Sequence, residues 1–361
     1  MAPGTLGRVV GCLLAGAVGD ALGAPVEFVS IDEIRQRYGP DGVTTLLPPG
    51  HFTDDTQMTL FTAEALLRAG MELEATGACN PVHLLHRSYL RWLLTQGREI
   101  GDLWPDADSE AAMSGGLISE AVLHRVEAPG ITCLGALGSG VAGTISMPIN
   151  DSKGCGGVMR AAPAGLLVPG AELGAAPAEA YHLGCEVAAI THGHRFGFHP
   201  AGLLAALVHL IVAGASPAEA YEQARKLAPD DLVQLTDAAV ALGASGPPSP
   251  EAIASELGAG WVGEEALAIA LACSVAAPDM STGLLASVNH SGDTDSTGSI
   301  CGNLLGSHLG AEAIDRRWVA ELDGAVLVRA VGMDVAQWLI ERPPADIPDE
   351  RFARLFRLYG A

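Results

Sequence analysis

Apolar residues return along this chain at intervals of three and four, as at Leu60, Phe61, Ala65 and Leu67, and the alternating β-branched runs of strands are nearly absent. Ala and Leu dominate these periodic stretches, as helices favour. The pattern predicts helices over 6–23, 56–69, 81–95, 111–126, 157–167, 177–192, 200–213, 217–227, 230–242, 262–275, 294–309 and 321–341. Clusters of Pro, Gly and Asp predict loops over 39–54, 99–110, 146–157 and 244–251. The expected fold class is all-α. Gly298, Gly302 and Gly306 recur every four residues on one predicted helix, and Gly19 and Gly23 repeat the spacing on another. Such rows of small residues let helix axes approach closely. Asp293 and Asp295 lead directly into the first of these helices, which argues for a buried soluble packing rather than a membrane one.

At 361 residues, 49% of them apolar, the chain can fill a large core without disulfides or structural metal. The 244–251 segment resembles a linker. The chemically distinctive segments lie near both ends, however, which suggests one domain over 1–361, with a core of about 5–341 and a C-terminal helical tail at 342–361. The seven cysteines are scattered, never spaced as C-x-x-C, and read as free thiols in a reducing cytoplasm. Residues 9–26 are apolar enough to pass for a signal or a span, but Asp20 sits inside the run, where lipid would penalise it. With 20 basic against 42 acidic residues the formal charge is −22. That excess argues against nucleic acid or anionic membranes as partners and in favour of cations.

The carboxylates gather at two places. Thr53-Asp54-Asp55-Thr56 stands where a Pro/Gly-rich loop meets a predicted helix. Asp54 as N-cap with Gln57 completing a capping box would explain one acid; two adjacent acids fit metal binding equally well. Ser291-Gly292-Asp293-Thr294-Asp295-Ser296 also precedes a helix, and D-x-D spacing on a turn lets both carboxylates converge on one hard cation. A capped turn is the alternative there too. Together the four Asp would repel one another unless cations lay between them. Glu27 follows Pro25 at the end of the first helix, and Asp20, inside that helix, needs buried partners and is expected to anchor a polar network beneath the site.

GDALGAPVEF (19–28), FTDDTQMTL (52–60), SKGCGGVMRAAP (152–163), Thr191-His192 and SGDTDSTGSICGNLLG (291–306) together closely resemble the ADP-ribosylglycohydrolase family, in family order. The resemblance implies a compact orthogonal multi-helix bundle with a binuclear metal cleft holding two Mg²⁺, with Mn²⁺ acceptable to the same oxygen ligands. By motif position Thr53, Asp54, Asp55, Asp293, Asp295 and Ser296 would be metal ligands, Ser296 standing where the family commonly has Thr. Glu27 matches a glutamate on a loop over the metals in part of the family. Ser152, Lys153, Gly154, Cys155, Gly156 and Gly157 match a loop that holds the diphosphate and distal ribose, whose backbone N–H groups can cradle phosphate. Lys153 stands where some relatives stack an aromatic on adenine and could instead reach a phosphate; Cys155 stands where they have Asn. His192 matches a histidine near the substrate, although His192 and His194 also fit ordinary hydrogen-bonded roles.

On that reading the four Asp would hold two Mg²⁺ ions against the ribose hydroxyls, and Glu27 or Asp55 would assist proton transfer at a centre with oxocarbenium character. The implied activity is hydrolysis of the bond between ADP-ribose and a protein side chain, arginine ahead of serine. O-acetyl-ADP-ribose, or nucleic acid and small molecules carrying ADP-ribose, are the alternatives. A two-metal phosphoesterase and a non-catalytic ADP-ribose-binding relative also stay open. The acidic loop with Asp102, Asp106, Asp108 and Glu110 reads either as a solvated face or as an attractor of a guanidinium.

Overall fold

The computed structural model describes residues 3–103 and 116–341, with Leu355, Leu358 and Tyr359 near the C-terminus. Most of the acidic 99–110 loop, the start of the 111–126 helix and most of the 342–361 tail lie outside the described residues. The long helices are Thr5–Gly23, Asp54–Thr76, Pro81–Thr95, Pro177–Ala189, Arg195–Val212, Asp230–Ala244, Gly263–Ala276, Thr294–Leu309 and Ala325–Glu341. Shorter ones run over Ile31–Tyr38, Ile131–Gly138, Ala162–Leu166, Pro217–Ala224, Pro250–Glu256, Met280–Val288 and Arg316–Glu321. Among the described residues there is no strand, and one antiparallel bridge joins Gly154 to Val262. The fold is all-α.

The departures from the predicted elements have local causes. The described part of 111–126 forms two 3₁₀ turns, Gly116–Ser119 and Ala121–His124, rather than one α-helix. The 157–167 prediction breaks into a 3₁₀ turn at Cys155–Gly157 and a short helix at Ala162–Leu166, because the glycines let the chain turn where periodicity alone would continue it. The helix expected from Pro200 starts at Arg195: His194 Nδ1 accepts from Phe196 N at 3.0 Å and caps it, so Pro200 falls inside. Within the predicted 244–251 loop, Ser249 accepts from Ala252 N and starts a short helix at Pro250.

The site depends on one helix pair. Thr5–Gly23 and Thr294–Leu309 run antiparallel with backbones in contact, Gly19 facing Gly298, Ala15 facing Gly302 and Gly11 facing Gly306. A Cβ built on Gly11 would lie 2.5 Å from Gly306 O, and one on Gly298 would collide with Gly19 O. The glycine row therefore has a packing cause: larger side chains cannot fit between these backbones. The pairing brings Gly23 against Thr294, whose Oγ1 donates to Gly23 O at 2.9 Å. Thr5–Val26 and Arg195–Val212 are long and apolar enough to cross a membrane by composition, and both are mostly buried within the fold.

Candidate active site

The C-terminal end of the first helix gathers the acids. Asp20, fully buried, accepts from Thr53 N at 2.9 Å, Thr56 N at 3.0 Å and Thr56 Oγ1 at 2.6 Å, so it fixes the start of the Asp54–Thr76 helix. This is the network expected beneath the site. Thr53, not Asp54, is the N-cap: its side chain accepts from Asp55 N at 3.3 Å. Gln57, expected to complete a capping box, instead donates to Arg125 O and accepts from Trp92 and Gln96. Capping therefore leaves both acids free. Asp54 Oδ2 accepts from Gly130 N at 3.0 Å, while Asp55 Oδ2 is buried without a hydrogen-bond partner.

The second acidic motif does cap its helix. Asp293 accepts from Ser296 N at 3.3 Å, and Asp295 Oδ1 accepts from the same N–H at 2.9 Å. Gly292 holds φ at +144°, and a Cβ there would collide with Ala259 O, the atom to which Asp293 N donates at 2.9 Å. A glycine is required at this position. Carboxylate oxygens of Glu27, Asp293 and Asp295 lie within 4.8 Å of one another, Glu27 half-buried and the two Asp buried.

The electrostatics agree. Burial, then the charge of Asp295, pushes Asp20 up to about 7 and Glu27 up to about 9. Burial raises Asp54 to about 8 against the opposing Gly130 N–H. Asp55 and Asp293 are held well above the usual carboxylate range by burial and by Asp295, and Asp295 is itself raised by burial. Six acids that cannot ionise together, one with an orphaned buried oxygen, form a donor set suited to hard divalent cations. The residues present thus fit a Mg²⁺ site.

Beside the acids, at Cys155, lies the Ser152–Gly157 loop. Cys155 N donates to Trp261 O at 3.3 Å and Gly263 N to Lys153 O at 2.9 Å, so two loop positions are already tied to the 261–263 segment. Lys153 Nζ, exposed, pairs with Glu264. Burial and the nearby Asp293 and Asp55 charges raise the Cys155 thiol well above its ordinary value, which places it beside the acids. His192, buried, reaches Thr191 Oγ1 through Nδ1 at 2.8 Å, and its ring lies under Gly154 and Gly156. His194 takes the ordinary role of a helix cap.

Sequence reasoning missed the mouth of the site. Phe28, next to Glu27, stacks on Trp261 with ring centroids 4.9 Å apart and planes at 23°. Phe28 is 73% exposed and sits at φ +63°, a conformation side chains rarely adopt. Periodicity carries no such signal, because the two aromatics come from loops more than two hundred residues apart in the chain.

The family profile described as ADP-ribosylglycohydrolase matches residues 1–348. The chain belongs to the ADP-ribosylglycohydrolase family. It is 27% identical over 327 residues to the ADP-ribosyl-[dinitrogen reductase] glycohydrolase of Rhodospirillum rubrum, covering 89% of this chain and 92% of that one. A stretch of 66 residues, 18% of each chain, is 38% identical to the ADP-ribosylarginine hydrolase Tri1 of Serratia proteamaculans. A solved ADP-ribosylglycohydrolase-related protein complex superposes with a TM-score of 0.64 at 24% identity, over 93% of this chain and 99% of that one, which shows the shared fold. Family membership makes the protein a glycosidic-bond hydrolase acting on ADP-ribose linkages.

Proposed function

We propose that this glycohydrolase is Mg²⁺-dependent and removes ADP-ribose from modified protein side chains, arginine ahead of serine, in the cytoplasm. The observation that carries the metal reading is the buried acidic cluster, with Asp55 Oδ2 unpartnered inside it. The preference for arginine rests on the stretch shared with a relative named as an ADP-ribosylarginine hydrolase.

Thr53, Asp54, Asp55, Asp293, Asp295 and Ser296 would hold two Mg²⁺, or Mn²⁺ in their place. Bound ions supply Lewis-acid charge stabilisation and let the surrounding acids ionise. Asp20 acts through Thr53 and Thr56, keeping the first acidic motif in place. Glu27, half-buried and raised by burial and its acidic neighbours, would exchange a proton with the leaving group or the attacking water. Asp55 is the deeper alternative. The Ser152–Gly157 loop, mostly small residues and beside the acids at Cys155, would admit a diphosphate, and the Trp261–Phe28 stack, joined to the loop through Trp261 O, would offer a flat apolar surface.

The test is release of free ADP-ribose from matched arginine-linked and serine-linked ADP-ribosyl peptides, in Mg²⁺ and in EDTA. Release from the arginine peptide that EDTA abolishes is expected. AMP as the product would replace this reading with a phosphoesterase. ADP-ribose binding without release from either peptide would move the substrate to O-acetyl, nucleic-acid or small-molecule conjugates, or make the chain a binding relative.

A further inference from the structure

Beneath the Ser152–Gly157 loop a hydrogen-bond chain determines which nitrogen of His192 carries its hydrogen. Arg160 is fully buried. Its Nη2 donates to Val187 O at 3.1 Å and to Thr191 Oγ1 at 2.6 Å, its Nη1 lies 3.3 Å from Cys133 Sγ, and its guanidinium carbon is 4.4 Å from the centre of the Tyr89 ring. Thr191 Oγ1 is in turn 2.8 Å from His192 Nδ1.

The donor count favours one direction for that second bond. A guanidinium has no acceptor, so Thr191 Oγ1 must accept from Arg160, and its single hydrogen remains free to donate. Directed at Nδ1, it satisfies both groups. In the opposite tautomer Thr191 Oγ1 would lie between two donors, and its hydrogen would be left with the Cys133 thiol, a weak acceptor already facing Arg160. Burial and the Arg160 charge hold His192 down at about 3, so the ring is neutral near pH 7. A neutral ring that accepts at Nδ1 carries its hydrogen on Nε2.

That hydrogen points at the loop. A Cβ on Gly156 would lie 3.0 Å from His192 Cε1 and 3.3 Å from Nε2, and one on Gly154 3.5 Å from Nε2. With no Cβ on either glycine, this edge of the buried ring is covered by loop backbone alone, and Nε2 has no hydrogen-bond partner among the described residues. We propose that Arg160 and Thr191 are positioning residues that lock His192, which the family resemblance already puts near the substrate, as its neutral Nε2–H tautomer, so that an N–H and not a bare nitrogen meets an oxygen of bound ADP-ribose. The second half rests on the ADP-ribose site proposed above; the first does not. A neutral donor suits a wall that must hold ligand oxygens without adding a charge next to Arg160.

Thr191→Val keeps the shape and removes the hydroxyl, which leaves Arg160 Nη2 with Val187 O alone, and Thr191→Ser keeps the hydroxyl and both partners of that nitrogen. Nitrogen-15 NMR of histidine-labelled protein at neutral pH reads the tautomer directly. The expected result is protonated Nε2 and bare Nδ1 at His192 in the parent and in Thr191→Ser, and loss of that pattern in Thr191→Val. ADP-ribose should bind Thr191→Val about tenfold more weakly, with Mg²⁺ affinity unchanged. Bare Nε2 in the parent, or an unchanged pattern in Thr191→Val, overturns the relay. A changed tautomer with unchanged ADP-ribose affinity overturns the contact with ligand. If the parent shows the expected tautomer yet binds no ADP-ribose, the relay stands and the substrate reading fails.

Discussion

The two walls of this site are built by opposite means. The acidic wall stands on the starts of two helices, placed by backbone contact between Thr5–Gly23 and Thr294–Leu309 and by Asp20 beneath Thr53 and Thr56. It concentrates acids in a buried space, where burial and one another's charge disfavour their ionisation. The loop wall is placed by single hydrogen bonds to the 261–263 segment, an ion pair from Lys153 and a neutral histidine relay. On the function proposed above, one site would take both cations and a diphosphate because the charge needed for cations is confined to the wall that packing makes rigid. The loop wall contributes polarity with little net charge.

The sharpest way to break this contrast is to remove an acid. Asp54→Ala or Asp293→Ala should lower turnover by at least ~10²-fold, through lost Mg²⁺ affinity measured by calorimetry. Near-normal turnover in either would end the binuclear proposal. Asp55→Asn should have two effects of opposite sign. It should raise the melting temperature in EDTA, because an orphaned acid surrounded by others is neutralised, and it should shrink the stabilisation gained on adding Mg²⁺.

Packing is the next lever. Gly302→Ala would press a methyl into Ala15 O and Gly16 N, overfilling the contact that sets the two helix starts. Overpacking of this kind costs about 1–3 kcal/mol, which in a chain of this size lowers the melting temperature by several degrees. Mg²⁺ affinity should fall with it. Gly135→Ala is the control, since nothing lies within 4 Å of a Cβ there. Equal effects from the two substitutions would mean that the close helix pair does not set the acidic wall.

This contrast also explains what could be read from the chain before its structure. The acidic wall was legible because its parts are short contiguous motifs, TDDT and DTDS, and because the glycine spacing that joins them repeats every four residues. The long helices followed from periodicity for the same reason. The capping role of Thr53 was missed: a hydroxyl and an acid both cap well, and which one does is decided by Asp20 pulling on Thr53 N. The Phe28–Trp261 stack and the Lys153–Glu264 pair were illegible, since each joins loops distant in sequence. Arg160 could have been suspected as a cation in an apolar stretch, but its use of Thr191 depends on tertiary packing.

Stability against pH tests the charge confinement without any substitution. Glu27, Asp54 and Asp20 titrate in the folded protein at about 9, 8 and 7, far above the ~4 of an unfolded carboxylate. The folded state therefore binds more protons than the unfolded state between these values. Stability in EDTA should be greatest near the bottom of that window and decline as pH rises from about 4 toward 9. Saturating Mg²⁺ should flatten the decline by compensating the ionised acids. Melting curves in EDTA and in Mg²⁺ should accordingly diverge as pH rises; parallel curves would show that the acids are not coupled to cations.

The smallest expected effect comes from Lys153, the one cation of the loop motif. Its ammonium pairs with Glu264, whose side chain is mostly buried, so a free reach toward a phosphate would require giving up that partner. Half-exposed pairs of this kind contribute about 0–1 kcal/mol, and Lys153→Gln should shift the melting temperature by little. ADP-ribose affinity should weaken by no more than about threefold, and its salt dependence should hardly change. Glu264→Gln releases the ammonium and supplies the complementary measurement. If affinity then rises and becomes more salt-sensitive, Glu264 is what keeps Lys153 from acting as a phosphate ligand. A tenfold or greater loss in Lys153→Gln would instead show that the loop wall reads charge as the acidic wall does, and the division between the two would fail.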